Sequence, residues 1–281
     1  MENVVELKKE EAALDQDIRL GFIGWGMFGQ GLGLHLQNRN SPLSQKGCIY
    51  QMKASSEEVR GWKRLLDLDQ LFQQSNLIFL EASYDELRPL FPRIRLLVSD
   101  AHVLVFLGAD ISFAKVARHI NERKIIRCLV SPIQRFADIS FVFTPSGLLA
   151  KEEIQMFSRV LEGVPVLVQL ESEAQLEAVH GLIGTGPAIG YTIIDALADG
   201  ALKMGIPRKT GLLLAAHALF GATRTFLESE IHPGVLRDHS IQGKGIPLSG
   251  LMSLEEAGIR GIIAHAIEYA ALEAQKRSQS D

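Results

Sequence analysis

Over residues 18–170, short apolar runs alternate with stretches whose apolar positions recur every three or four residues. The runs at 19–23, 48–52, 76–80, 102–107, 125–130, 139–144 and 164–170 have the length and composition of buried strands. Between them, 57–66, 84–98, 112–121 and 149–161 carry the helical period. Strands alternating with helices predict a parallel sheet covered on both faces. From residue 171 the pattern is helical alone. Residues 171–204 are a long alanine-rich stretch that Pro187 is expected to kink, 208–229 a second helix opened by Pro207, and 250–277 hold at least one more. Leu212, Leu213, Leu214, Ala215, Ala216, Ala218, Leu219 and Phe220 run almost unbroken. A helix apolar on all sides must be buried on all sides. A domain of roughly 110 residues has little interior for it, so subunit association through these helices is expected. The chain divides into a polar extension at 1–17, an α/β domain at 18–170 and an all-helical dimerisation domain at 171–281.

The stretch IRLGFIGWGMFGQGLGLHL at 18–36 gives the first domain a chemistry. Gly24, Gly26 and Gly29 form GxGxxG between a strand and a helix, with Trp25, Met27 and Phe28 completing the turn. The first glycine allows the tight turn, the second lets backbone approach a pyrophosphate, and the third lets helix and strand pack closely. The helix N-terminus offers free N–H groups and a partial positive charge to the phosphates. This context predicts a Rossmann-type dinucleotide-binding domain; the alternative is a structural glycine turn. Where the second strand ends, NAD-binding domains carry an acid for the ribose hydroxyls, whereas a 2′-phosphate needs hydroxyls and a cation. Here stand Lys53, Ser55 and Ser56, with the nearest acids at Glu57 and Glu58. NADP is expected over NAD, with NAD open and a polar helix cap as the other reading of these residues.

Composition narrows the partners. The 281 residues are 47% hydrophobic and 22% charged, with net charge -4 and no basic tract, which argues against nucleic acid or an anionic membrane. Residues 1–17 are charged, without the apolar core of a signal peptide. No apolar run reaches ~18 residues, so no transmembrane helix is expected. Cys48 and Cys128 lie in apolar strands and read as buried free thiols of a reducing compartment. A cytoplasmic protein with a small-molecule substrate and no metal is expected.

In the second half, Gly184-Thr185-Gly186-Pro187, the run DALADGALKMGIP at 195–207, His232-Pro233-Gly234-Val235-Leu236 and LEEAGIRG at 254–261 resemble pyrroline-5-carboxylate reductases. The opening GFIGWG is similar to that family's strand and turn. The likeness covers about residues 18–275 and is strongest from Ala178 onward. It implies a Rossmann domain that binds NAD(P)H, a helical domain that forms a homodimer or higher homo-oligomer, and a substrate site where the two meet. The implied reaction is hydride transfer from nicotinamide to the C=N carbon of 1-pyrroline-5-carboxylate, giving L-proline.

Three places depart from the family pattern. Its substrate loop reads close to Ser-Pro-Gly-Gly-Thr-Thr, with backbone amides and a threonine facing the substrate. This chain has Gln242-Gly243-Lys244-Gly245-Ile246-Pro247, which loses both threonines and, at Pro247, a backbone N–H. Gln242 and Lys244 bring new donors; Lys244 can hold a carboxylate as a point charge or stand solvated in its loop. After the third main strand, Ala-Val-Lys-Pro near the nicotinamide becomes Glu81-Ala82-Ser83-Tyr84, which places an acid near the cofactor unless Glu81 points outward. Met-Pro-Asn becomes Leu129-Val130-Ser131. Thr185 replaces a serine and keeps its hydroxyl for the substrate pocket, or bonds back to its own helix. His180, four residues before Gly184, can serve an imine nitrogen or be a packed helix histidine. Imine reduction to proline is the leading reading. The alternatives are the same fold acting on another imine or keto substrate, or an NAD(P)-binding regulatory paralogue without turnover.

Overall fold

The computed structural model describes residues 17–39, 41–45, 47–50, 62–121, 123–132, 138–241 and 246–279. It forms two compact units, one running to Gly184 and joined by Ala271 onward, the other Thr185–Ala270. The first is built on strands β1 (Leu20–Ile23), β2 (Gly47–Tyr50), β3 (Lys63–Leu65), β4 (Leu77–Leu80), β5 (Val103–Phe106), β6 (Ile125–Val130), β7 (Ser140–Pro145) and β8 (Val166–Gln169). They make one sheet in the order β3-β2-β1-β4-β5-β6-β7-β8. Helices α1 (Met27–Asn38), α2 (Leu68–Gln74), α3 (Tyr84–Leu87), α4 (Phe91–Leu97), α5 (Phe113–Ile120) and α6 (Lys151–Val160) connect the strands.

The central strands are apolar without alternation because both faces are covered. Along β4, Leu77 and Phe79 enter a core with α1 and α6, while Ile78 and Leu80 enter a second core with α2, α4 and α5. Val103 and Val105 of β5 share the first core, and Leu104 and Phe106 the second. Cys48 and Cys128 are buried free thiols, as expected.

Three sequence expectations change. The sheet is not wholly parallel: β7 runs antiparallel to β6, and β8 parallel to β7. Residues 131–139 are too few for the crossover of a dozen or more that a parallel return requires. The helix expected at 57–66 falls partly outside the described residues, and Lys63–Leu65 is strand β3 on the sheet edge. Its pattern misleads because only Leu65 is buried, with Lys63 and Arg64 facing solvent. The helix expected at 84–98 is two, separated at Pro89, which has no N–H to continue the first.

The remaining helices are α7 (Glu173–Lys203), α8 (Arg208–Ser229), α9 (Pro233–Ser240), α10 (Ile246–Glu256) and α11 (Ile259–Gln279). The compact-unit boundary differs from the boundary at 170 read from the sequence, because the first turns of α7 pack on the sheet: Leu176 is buried against Leu129 and Val142. The fully buried Arg127 of β6 adds an electrostatic tie there, pairing with Glu173 and lying 3.6 Å from Glu177. The Ser278 hydroxyl donates to Glu177 at 2.6 Å, which fastens the chain's last turn to the same cluster. α7 runs unbroken through Pro187. By length and composition α7 alone among the described helices could cross a membrane.

In the second unit Gly211 packs within 3.4 Å of the Ala198 Cα, measured from the position a Cβ would take, and Arg208 pairs with Asp195 and Asp199. Among the described residues the apolar stripe of α8 is left uncovered: Leu213, Phe220 and Leu227 are 60%, 63% and 71% exposed.

Replacing Arg127 by Leu leaves Glu173 and Glu177 without their buried cation. The first unit should lose about 3 kcal/mol of unfolding free energy, measured by urea titration against the parent; a loss below about 0.5 kcal/mol would show that the pair does not hold α7.

Candidate functional site

The sheet changes direction of winding between β1 and β4, and in such folds the crevice beyond the strands' C-terminal ends takes the ligand. β1 ends at Ile23, paired with Leu80 at the end of β4. Gly24 then turns at φ 87, a left-handed conformation that suits glycine, and its N–H donates to the Tyr50 carbonyl at 3.0 Å. Gly26 is the N-cap of α1 and supplies no side-chain cap. The first amides of α1 therefore need an acceptor from outside the turn.

Those amides are held by Glu81. The Gly26 and Gly29 N–H groups donate to its Oε2 at 3.0 and 2.9 Å, and the Phe28 N–H to its Oε1 at 2.8 Å. Glu81 follows β4 directly, and its own N–H donates to the Ile23 carbonyl at 2.9 Å. The side chain thus points into the turn, not outward. A Cβ on Gly26 would lie 2.5 Å from Glu81 Oε1, so the close approach that this glycine permits is to a carboxylate of the chain itself. Burial pushes the Glu81 carboxyl above its ordinary range, while the three amides pull it back.

The other turn residues divide their work. Trp25 packs edge-on against Phe22 at 5.1 Å and tilts against Trp62 at 5.3 Å. Gly29 leaves room for that indole, since a Cβ there would come within 2.7 Å of it. The third glycine of the motif therefore serves Trp25. Phe28 sends its ring into the core against Phe79, while Met27 is exposed. Ala82 packs beside the second core, and Ser83 caps α3, accepting from the Glu86 N–H at 3.4 Å and donating to the Glu86 carboxylate at 3.1 Å. Ser131 accepts from the Ser140 N–H at 2.9 Å and closes the β6–β7 connection.

His180 is half-buried in the first turns of α7. Burial and the nearby Arg127 and Arg277 charges push its pKa down, so at neutral pH it is a neutral hydrogen-bonding group. Thr185, five residues on along the same helix, is half-buried. Lys53, Ser55 and Ser56, and the loop residues Gln242, Gly243, Lys244 and Gly245, lie outside the described residues. Sequence reasoning passed over Arg127, although a lone arginine in IIRCLV with Glu173 and Glu177 one turn apart was a readable signal. It noted Glu81 but not where the carboxylate would go.

Residues 173–277 match the family described as pyrroline-5-carboxylate reductase dimerisation. Pyrroline-5-carboxylate reductase 2 of Bos taurus is 30% identical over 200 residues, which are 70% of this chain and 62% of that protein. The chain thus spans less than two thirds of that relative's length. Pyrroline-5-carboxylate reductase of Pisum sativum is 24% identical over 270 residues, 94% of this chain and 98% of its own. Among solved structures, a pyrroline-5-carboxylate reductase from Coxiella burnetii superposes with a TM-score of 0.86 at 18% identity, covering 94% of this chain and 99% of its own. Plasmodium falciparum pyrroline carboxylate reductase, with NADP bound, gives 0.81 at 19% identity, covering 93% and 98%. These likenesses establish the fold: a Rossmann-type sheet followed by a helical dimerisation domain. Residues 173–277 are similar to the dimerisation region of pyrroline-5-carboxylate reductases, and the chain as a whole has the fold of these reductases.

Glu81 gives the fold a signed pH dependence. Its raised folded-state pKa means that the native chain binds this proton more tightly than the unfolded one. Its stabilising share is complete below the ordinary value of 4.5 and is lost as pH rises through the folded value. Thermal denaturation across that window should show the parent losing stability relative to Glu81→Gln as pH rises. Parallel curves would remove the linkage.

Proposed function

We propose that the chain reduces a cyclic imine with a reduced nicotinamide dinucleotide, turning 1-pyrroline-5-carboxylate into L-proline, with NADPH as the preferred donor and NADH the alternative. The observation that carries this reading is the union in one chain of a glycine turn at the sheet's switch point and a helical region that matches the reductase dimerisation family over residues 173–277. The bound dinucleotide would supply the hydride. The turn has a form that suits its phosphates: the Gly26, Phe28 and Gly29 amides converge on one anion, the Glu81 carboxylate, which sits in the room that Gly26 leaves.

Each remaining group has one task. Lys53, Ser55 and Ser56 would hold a 2′-phosphate, which favours NADP. Ala82 and Ser83, just past β4, would border the nicotinamide end. Thr185 and the neutral His180 would offer hydrogen bonds to the substrate. A neutral imidazole is a weak acid, so His180 orients the imine nitrogen and the proton reaches it from solvent or arrives on the substrate. Gln242, Gly243, Lys244 and Gly245 would anchor the substrate carboxylate by amides and one cation. A reaction of this kind depends on positioning more than on acid–base strength. We place it in a reducing cytoplasm, on the buried free thiols Cys48 and Cys128.

Purified chain given NADPH and pyrroline-5-carboxylate should consume the reduced nicotinamide at about 1 per second or faster, with proline as product. No consumption with NADPH or NADH sinks the reading. The carboxylate in the turn favours a second reading, a dinucleotide-binding relative without turnover; bound dinucleotide with no product formed would select it.

The uncovered stripe of α8 supports a homodimer as the working unit. Exchanging Leu213 and Phe220 together for Asp should convert it to monomer by light scattering after gel filtration. A double variant that remains dimeric would show that the partner sits elsewhere.

A further inference from the structure

We infer that Glu81 is an intramolecular competitor for the dinucleotide: its carboxylate occupies the phosphate position of the glycine turn and must leave before a dinucleotide can bind. This rests on the dinucleotide-binding reading proposed above.

Three observations carry it. First, three backbone N–H groups of the turn converge on one carboxylate at 2.8–3.0 Å, the arrangement by which a helix start holds a phosphate. Both anions would need the same donors, and an amide N–H directed along one bond cannot serve two acceptors equally. Second, the room left by Gly26 is filled by Glu81 itself, whose Oε1 and Cδ lie 2.5 and 2.9 Å from the position of the missing Cβ. A phosphate entering there would meet a negative charge in a partly buried place, which costs more than the same encounter in water. Third, the main chain at Glu81 is fixed independently of its side chain. The Glu81 N–H is bonded to the Ile23 carbonyl at 2.9 Å, and Ser83 caps the next helix two residues later. The carboxylate can therefore swing out by rotation of its own side-chain torsions, with β4 and α3 left in place.

The competition lowers affinity by the fraction of molecules in which the turn is open. It acts on ligands that carry a phosphate for the turn. The same contact stabilises the ligand-free chain by giving the start of α1 an acceptor. Removing it should therefore move two readouts in opposite directions: weaker fold without ligand, tighter dinucleotide. A carboxylate that was only a structural cap would move the first alone.

The test measures NADPH affinity by fluorescence titration of the full chain, and melting temperature with and without NADPH, for the parent, Glu81→Ala, Glu81→Gln and Asp85→Asn. Asp85 is an exposed acid nearby in sequence and controls for bulk charge. The expected result is a Kd for NADPH lower by about tenfold or more in both Glu81 variants and unchanged in Asp85→Asn. Without ligand, Glu81→Ala should melt lower than the parent, and saturating NADPH should stabilise it by a larger shift than the parent. If Glu81→Ala does not fold, Glu81→Gln carries the test, since it keeps the side chain's size and removes its charge.

An unchanged or raised Kd in the Glu81 variants overturns the inference, as does equal tightening in Asp85→Asn. If neither NADPH nor NADH binds the parent or any variant, the dinucleotide reading falls and the inference with it. If the variants bind more tightly and yet no imine is reduced, the inference stands and only the proposed reaction fails.

Discussion

The first N–H groups of an α-helix have no partner within the helix and must find an acceptor outside it. At the start of α1 the chain cannot provide one locally, because the N-cap is Gly26 and the first turn holds no acid. The acceptor comes from across the sheet, where β4 delivers Glu81 beside Ile23. One carboxylate then satisfies three amides and tethers α1 to β4. Charge-assisted bonds of this kind are roughly twice as strong as neutral ones, and the helix dipole adds to them. The turn is thus a closed structural joint.

The second constraint is area. A helix as apolar as α8 cannot remain exposed, yet among the described residues only its Gly211 and Ala215 are buried. Small residues at the contact let the helices approach closely, while Leu213, Phe220 and Leu227 face outward. Residues 173–277, which carry that surface, match a dimerisation family, and α7 is long and apolar enough to cross a membrane by length and composition.

What the sequence disclosed follows from where one signal dominates. Apolar runs buried on two faces fix most of the strands, and α8 begins and ends where its pattern says, at Arg208 and Ser229. Signals failed where they competed. β3 carries Lys63 and Arg64 on an edge and so lacks a strand's apolar stamp. Pro89 cut one helical period into two. The boundary near residue 170 was read from a change of pattern, but compactness follows contacts: Arg127 and Leu176 hold the first turns of α7 to the sheet. Gly26 and Gly29 were legible as glycines that something must approach. Whether that something was a ligand, a carboxylate or an indole was not, since the motif records only the space.

A glycine is required wherever any group needs the room, and here Glu81 needs it at Gly26 and Trp25 at Gly29. Both glycines are therefore explained without a cofactor, and the motif by itself does not guarantee one. The helical half constrains differently. Its match to the reductase family extends over residues 173–277, and packing such as Gly211 against Ala198 is indifferent to what the turn binds. Ser83 and Ser131 likewise have local tasks, capping α3 and closing the β6–β7 connection. The framework is thus held by packing, and the turn and loop positions by hydrogen bonds that the chain supplies to itself. A single side chain, Glu81, gives the turn's three donors their acceptor from within the protein.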